Sequence, residues 1–277
     1  LLAGFTETIR LNFMWNWFRG NRRKKVLATS FPSEWERHIQ NNIQYYHHLN
    51  NEEKKRLQDL IQIFIAEKHW LGCNNLELTD EIRVMIAAHA CLMILVLPND
   101  CYRNVESIYV YPTTIFPPES PIGFFEVRTT PVQGAMPTLG EAHHRGPVIL
   151  VWDVVKKETR HPEHGHNVVY HEFAHKLDML DGSADGTPPL TTPEDYQRWS
   201  DVCSKEYLEL CGKVKHGKPT FFDSYAATDE AEFFAVVTEY FFSKPENMKH
   251  HHPKLYQVLQ DFYRQDPAEK VITNPLP

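Results

Sequence analysis

His166-Asn167-Val168-Val169-Tyr170-His171-Glu172-Phe173-Ala174-His175-Lys176-Leu177-Asp178 is the stretch on which the reading turns. His171 and His175 are four residues apart, the spacing that stacks two side chains on one face of an α-helix. Both imidazoles can therefore point at one ion, and zinc takes neutral imidazole nitrogens at about 2.0–2.1 Å. Glu172 stands beside the first histidine, where a carboxylate can take a proton from the attacking water and pass it to a leaving amine. Val168, Val169, Phe173, Ala174 and Leu177 supply the apolar packing of such a helix. The bland alternative is two surface histidines and a solvated glutamate. The chain has 16 histidines, so about 0.1 chance matches to HExxH are expected. Only context separates the two readings.

A catalytic zinc needs a third protein ligand and an open fourth position. Asp181 stands where a metzincin-like pattern would place one, but Asp178 occupies the site of the glycine that lets that chain turn back. Asp178 reads better as a carboxylate holding the tautomer of a ligand histidine, or as a solvated helix end. Glu232 and Glu239 lie seven apart on Asp229–Ser243, a segment almost wholly apolar after Glu232. A buried carboxylate there needs a partner, and a cation is one. Glu232 could equally be the third residue of a capping box opened by Asp229. Glu239 is the remaining ligand candidate, with a supporting carboxylate or a buried ion pair as its other roles.

Working outward, the first half reads as helices from Ser33 to His48, Asn51 to Lys68, and from Thr79 to before Pro98. Ser107–Tyr111, Phe124–Arg128 and Val148–Val155 are short, β-branched and aromatic, and read as strands. Pro112–Pro121 reads as a loop. Helices return over Asn167–Leu180, Thr192-Pro193 to Cys211, Asp229–Ser243 and Pro253–Tyr263. The expected fold is α+β, a zincin-like domain with a small mixed sheet and several helices. Residues 26–277 form the single domain and 1–25 a flexible tail. Met14 reads as a natural opening, with the residues before it not native.

With 277 residues, 42% hydrophobic and 23% charged, the chain reads as soluble and globular. Its net charge of −7 repels phosphates, so no direct nucleic-acid partner is expected. Arg19, Arg22, Arg23, Lys24 and Lys25 form the one basic cluster and read as a solvated tail. The longest apolar run, 84–98, is shorter than the roughly 20 residues a bilayer requires, so no membrane partner is expected. Five cysteines without a Cys-x-x-Cys pair read as reduced thiols and a cytoplasmic protein. His161, His164, His166, His143-His144 and His250–His252 read as solvated loop histidines rather than a second metal site.

The chain resembles the Mlc titration factor A family of zinc peptidases. The resemblance runs from about Val26 to Leu276 and is weakest in the N-terminal part. It is carried by Gly146-Pro147-Val148-Ile149-Leu150, by Asn167–Asp178, by Asp223-Ser224-Tyr225-Ala226-Ala227-Thr228-Asp229 with Ala231-Glu232 through Glu239-Tyr240-Phe241-Phe242, and by Phe262–Pro267. It implies a fold like the catalytic domain of anthrax lethal factor and one Zn2+ held by His171, His175 and Glu232, a gluzincin arrangement. It also implies Glu172 as general base and Tyr225 as the phenol that stabilises the oxyanion. Aminopeptidase action on a peptide substrate, a cytoplasmic location and binding of an Mlc-like transcriptional repressor follow from it as expectations. The alternative function is a non-catalytic repressor-binding protein with a structural zinc. An intact Glu172 favours the enzyme, and an edge strand, Val148–Val155 or Ser107–Tyr111, would hold the substrate chain.

Overall fold

The computed structural model describes residues 20–98, 100–113 and 146–273. Three expectations lie outside those residues: the Phe124–Arg128 strand, the His143-His144 pair and the opening at Met14. So does most of the Pro112–Pro121 loop. Residues 20–27 (α1), which the sequence reading places partly in the tail, are helical. Arg23 makes a two-pronged pair with Glu67, Nε to Oε1 at 2.6 Å and Nη2 to Oε2 at 2.7 Å, a geometry that suits guanidinium and carboxylate.

Helices α2 (Ser33–Asn42) and α3 (Gln44–His47) replace the single expected helix. Ile43 between them is extended, and Pro32 rather than Ser33 occupies the cap position, with no side-chain cap. The break keeps Ile39, Ile43, Tyr45 and Tyr46 all in the core. α4 (Asn51–Glu67) opens on a complete capping box between Asn50 and Glu53, which satisfies two of the free N–H groups of its first turn. α5 (Asp80–Met93) is capped by Thr79 and buried along nearly its whole length.

The sheet has three strands in the order β1 (His69–Gly72), β2 (Ser107–Tyr111), β3 (Val148–Val151). Among the described residues every pairing is parallel, with Trp70 opposite Ile108 and Ile108 opposite Val148, so the expected mixed sheet is not found there. Parallel neighbours need a crossover, and α5 lies in the one between β1 and β2. Among the described residues β2 is thus the central strand, not an edge, while β3 is an edge. The reading of Val148–Val155 as one strand overruns at Trp152. From there the buried positions are Trp152, Val155, Glu158 and Thr159, a helical spacing, and they form α6 (Trp152–Arg160). β1 escapes sequence reading because so short a strand, one of its residues glycine, carries little periodicity.

The second half supplies α7 (Val168–Asp178), α8 (Pro193–Lys215), α9 (Glu230–Ser243), α10 (Pro245–His251), α11 (Pro253–Tyr263) and α12 (Pro267–Thr273). α8 runs about one turn past its expected end at Cys211. One continuous apolar core reaches from Ile39 to Ala268. Phe173 of α7 sits at its centre against Tyr102 (ring centroids 4.8 Å) and Phe64 (5.6 Å). α9 is joined to α7 by Phe242 against Tyr170 (5.1 Å). No described helix is long and apolar enough to cross a membrane. All five cysteines are free thiols.

Candidate metal centre

α7 carries the motif, and its N-terminus is held by side chains from three directions. A helix start leaves N–H groups without partners. Here Asn167 Oδ1 accepts from Val169 and Tyr170 N–H, both at 3.1 Å. Glu158 Oε2 accepts from Val168 N–H at 2.6 Å, and Glu239 Oε2 accepts from Asn167 N–H at 2.6 Å. Two buried carboxylates from α6 and α9 therefore fix where α7 begins, and so where its histidines stand. Sequence reading misses Glu158. It lies 10 residues from the N–H it accepts, and no local spacing links the two.

His171, His175 and Glu232 come together as the one group of three candidate metal ligands among the described residues. His171 Nε2 lies 3.0 Å from Glu232 Oε2, His175 Nε2 3.5 Å from the same oxygen, and the two ring nitrogens are 3.3 Å apart. Ligand atoms at zinc distances in tetrahedral array stand about 3.3 Å from one another. His171 is buried, while His175 and Glu232 are half-buried, so the trio reaches solvent only through His175 and Glu232.

Glu239 decides which nitrogen of His171 is free. Its Oε1 lies 2.8 Å from His171 Nδ1. A carboxylate only accepts, so Nδ1 carries a proton, and Nε2 is the nitrogen that could give a lone pair to an ion. Glu239 is fully buried with both oxygens engaged, which removes it as a ligand and leaves it as the histidine's support. The sequence reading leaves that support open between Asp178 and Glu239. Asp178 is fully buried beneath the next turn, with Oδ2 accepting from Gly186 N–H at 3.0 Å. Asp181 accepts from Ser183 N–H and closes a turn.

The fit to a cation rests on the donors themselves. Glu232 Oε2 is buried without a well-formed hydrogen bond, although two imidazole nitrogens face it. Burial opposes it, but those imidazoles hold the Glu232 carboxyl well below the usual carboxylate range. Burial likewise opposes protonation of His171, but the Glu232 and Glu239 carboxylates outweigh it and, with no ion between the donors, push the imidazole up. Three electron-pair donors aimed at one point, one of them an orphaned buried oxygen, are the arrangement a divalent cation satisfies. The capping alternative for Glu232 is met only by half. Asp229 Oδ1 accepts from Glu232 N–H at 2.9 Å, but the Glu232 carboxylate turns toward the histidines.

Glu172 is half-buried beside the trio, and its charge is felt at His171, Lys176 and Tyr225. Tyr225 sits on the short turn Ser224–Ala227, opened by Asp223 Oδ1 on Tyr225 N–H at 2.8 Å. Its ring lies 6.1 Å from that of His171, and its hydroxyl is bonded to Glu232. Burial and the Glu232 carboxylate push the phenol up, keeping it a proton donor.

The other histidines divide. His161 and His164 are exposed around Glu163, and His250 and His251 are exposed on α10. His252 is not a solvated loop residue. It is half-buried, bonded to Glu206 at 2.7 Å and packed on Phe222. His166 lies half-buried between Asp223 and Glu239.

Residues 16–264 match the family described as glucose-regulated metallo-peptidase M90. A protein of Synechocystis sp., named only as uncharacterized protein slr2042, is 37% identical over 249 residues, covering 89% of each chain. Mlc titration factor A of Serratia proteamaculans is 32% identical over 231 residues, 80% of this chain and 84% of the relative. That of Klebsiella pneumoniae (strain 342) is 31% identical over 238 residues, 83% and 85%. A metallo-peptidase family implies a metal, and the His171, His175 and Glu232 cluster is where the described residues could hold it. The chain belongs to the glucose-regulated metallo-peptidase M90 family, that of Mlc titration factor A.

Proposed function

We propose that the protein is a zinc-dependent aminopeptidase of the cytoplasm, with His171, His175 and Glu232 as zinc ligands, Glu172 as general base and Tyr225 as oxyanion donor. The observation that carries this reading is the convergence of His171 Nε2, His175 Nε2 and Glu232 Oε2 within 3.0–3.5 Å of one another. Bound there, zinc supplies a Lewis acid for the peptide carbonyl and lowers the pKa of a water molecule. The chain's own residues do the rest. Glu239 keeps the His171 proton on Nδ1, so that Nε2 stays free. Glu172 takes the proton of the attacking water and returns it to the departing amine. Tyr225 donates its hydroxyl proton in a hydrogen bond to the oxygen that gains charge, at a small cost in its bond to Glu232. A peptide would enter on the side of His175, which keeps some exposure to solvent, with β3, an edge among the described residues, as the strand nearest in sequence to the motif.

The test uses wild type and Glu172→Gln, measuring metal content and cleavage of amino-acid amide reporters and of a quenched endopeptide. The expected result is one zinc per chain in both proteins, with cleavage reduced about 10²–10⁴-fold in the variant. Amide cleavage without endopeptide cleavage supports the aminopeptidase. Absence of metal from wild type would sink the whole reading.

A second reading has its own observation. The curated relatives are named for titrating Mlc, which supports a role in binding an Mlc-like transcriptional repressor, with zinc then serving structure. Metal bound by both proteins and no cleavage by either would favour it.

A further inference from the structure

The turn after α7 makes a contact that neither the ligands nor the base explain. Gly186 has φ +75°, and a Cβ placed on it would lie 2.2 Å from the carbonyl oxygen of Glu230 and 2.7 Å from its carbonyl carbon. Both are main-chain atoms. Glu230 is the first residue of α9, and Glu232 lies in the same first turn. The glycine is pinned from both sides. Its N–H is held by Asp178 Oδ2 at 3.0 Å, and its carbonyl accepts from Trp199 Nε1 at 3.1 Å. Asp178 is the last residue of the histidine helix and is fully buried. Trp199 packs edge-on against Phe234 of α9, with centroids 5.6 Å apart. The main chain of residue 186 is thus wedged between the end of the helix that carries the histidines and the start of the helix that carries Glu232.

We propose that Asp178 and Gly186 form a positioning clamp that sets how closely Glu232 approaches His171 and His175. The proposal rests on the reading of those three residues as metal ligands. The physical case is one of distances. The interior is close-packed, so relieving so short a contact with main chain takes a relative shift of about 1 Å between residue 186 and the first turn of α9. The donor atoms stand only 3.0–3.5 Å apart, and such sites tolerate about 0.5 Å. Gly186 acts through the position of α9, and Asp178 through its bond to the Gly186 N–H, although its charge is also felt at His175; Asp178→Asn removes that charge and keeps the bond.

The experiment compares the full chain as wild type, Gly186→Ala, Asp178→Ala, Asp178→Asn and Glu232→Gln. Zinc affinity is measured by competition with a chromophoric chelator, and the site's geometry by the visible absorption of the cobalt(II)-loaded protein. Near-UV circular dichroism establishes that each variant is folded. Gly186→Ala and Asp178→Ala are expected to bind zinc at least ~10-fold more weakly, with an altered cobalt band. Asp178→Asn keeps a carbonyl oxygen for the Gly186 N–H and is expected within ~3-fold of wild type. A folded Gly186→Ala protein with wild-type affinity and cobalt band overturns the clamp, whatever its melting temperature. Should that variant not fold, wild-type affinity in Asp178→Ala overturns it equally. The metal reading fails separately, and takes the clamp with it, if wild type binds no zinc or if Glu232→Gln binds it as tightly as wild type.

Discussion

Glu239 holds two donors at once, the ring N–H of His171 and the main-chain N–H of Asn167, from a position with no exposure to solvent. A glutamine there can accept only one of them. Its amide nitrogen would face the other, and the His171 proton would move to Nε2, where it blocks a metal. Glu239→Gln is therefore expected to weaken zinc binding about 10–100-fold. Chelator competition would measure the loss. Long-range proton–nitrogen NMR of the imidazole would report the tautomer in the metal-free protein. Unchanged affinity with the proton still on Nδ1 would refute this role. Asp178 and Glu239 show how a residue's type leaves its task open: both are buried carboxylates near the motif, and only their distances say which one serves the histidine.

Among the helices, α5 and α7 meet through His89 and Tyr170, whose rings lie 5.3 Å apart. Burial pushes the His89 imidazole down to about 4, against a bond to the Met85 carbonyl that raises it. In the unfolded chain the imidazole titrates near about 6.5. As pH falls below that value the unfolded state binds a proton and the folded state does not. The stability contribution is therefore complete above about pH 6.5 and is lost as pH falls toward about 4. Between pH 7 and pH 5 the loss should be roughly 2 kcal/mol. Asp178, pushed up to about 6 by burial, acts in the opposite sense as its folded form takes up a proton first. Wild type alone therefore mixes the two. The difference between wild type and His89→Leu, in urea unfolding at both pH values, isolates the histidine. A difference that does not change with pH would refute the assignment.

For the molecule as a whole, the candidate metal ligands stand on an extensive apolar core, which is expected to hold without an ion. The apolar cluster extends from Ile39 to Ala268, whereas small zinc modules have no such core and unfold without their ion. Chelation should therefore leave the far-UV circular dichroism unchanged and remove only the mass-action stabilisation, about 2.7 kcal/mol relative to a free zinc concentration about 100 times Kd. Unfolding of the apo chain at room temperature would contradict this. Glu232→Gln should lose the zinc-dependent increment and keep the apo stability.

Periodicity and spacing were enough for the elements that are long or sharply punctuated: α4 with its capping box, α5 behind its cap Thr79, α7 around its two histidines, and α9. They were enough also to single out the two histidines and their glutamate neighbour, because i, i+4 spacing on a helix is a local rule. Strand Val148–Val151 was legible, but not its end, since Trp152 and Val155 are apolar in either period. Sequence left Glu232 divided between cap and ligand, and left the tasks of Glu239 and Asp178 undecided. Where those three side chains lie is visible only in the tertiary structure. Glu239 reaches His171 across 68 residues of chain and Glu158 reaches Val168 across 10. Glu232 comes to the histidines from the far helix α9, and the wedge at Gly186 depends on where that helix begins. Such contacts are set by how helices pack, which no local pattern encodes.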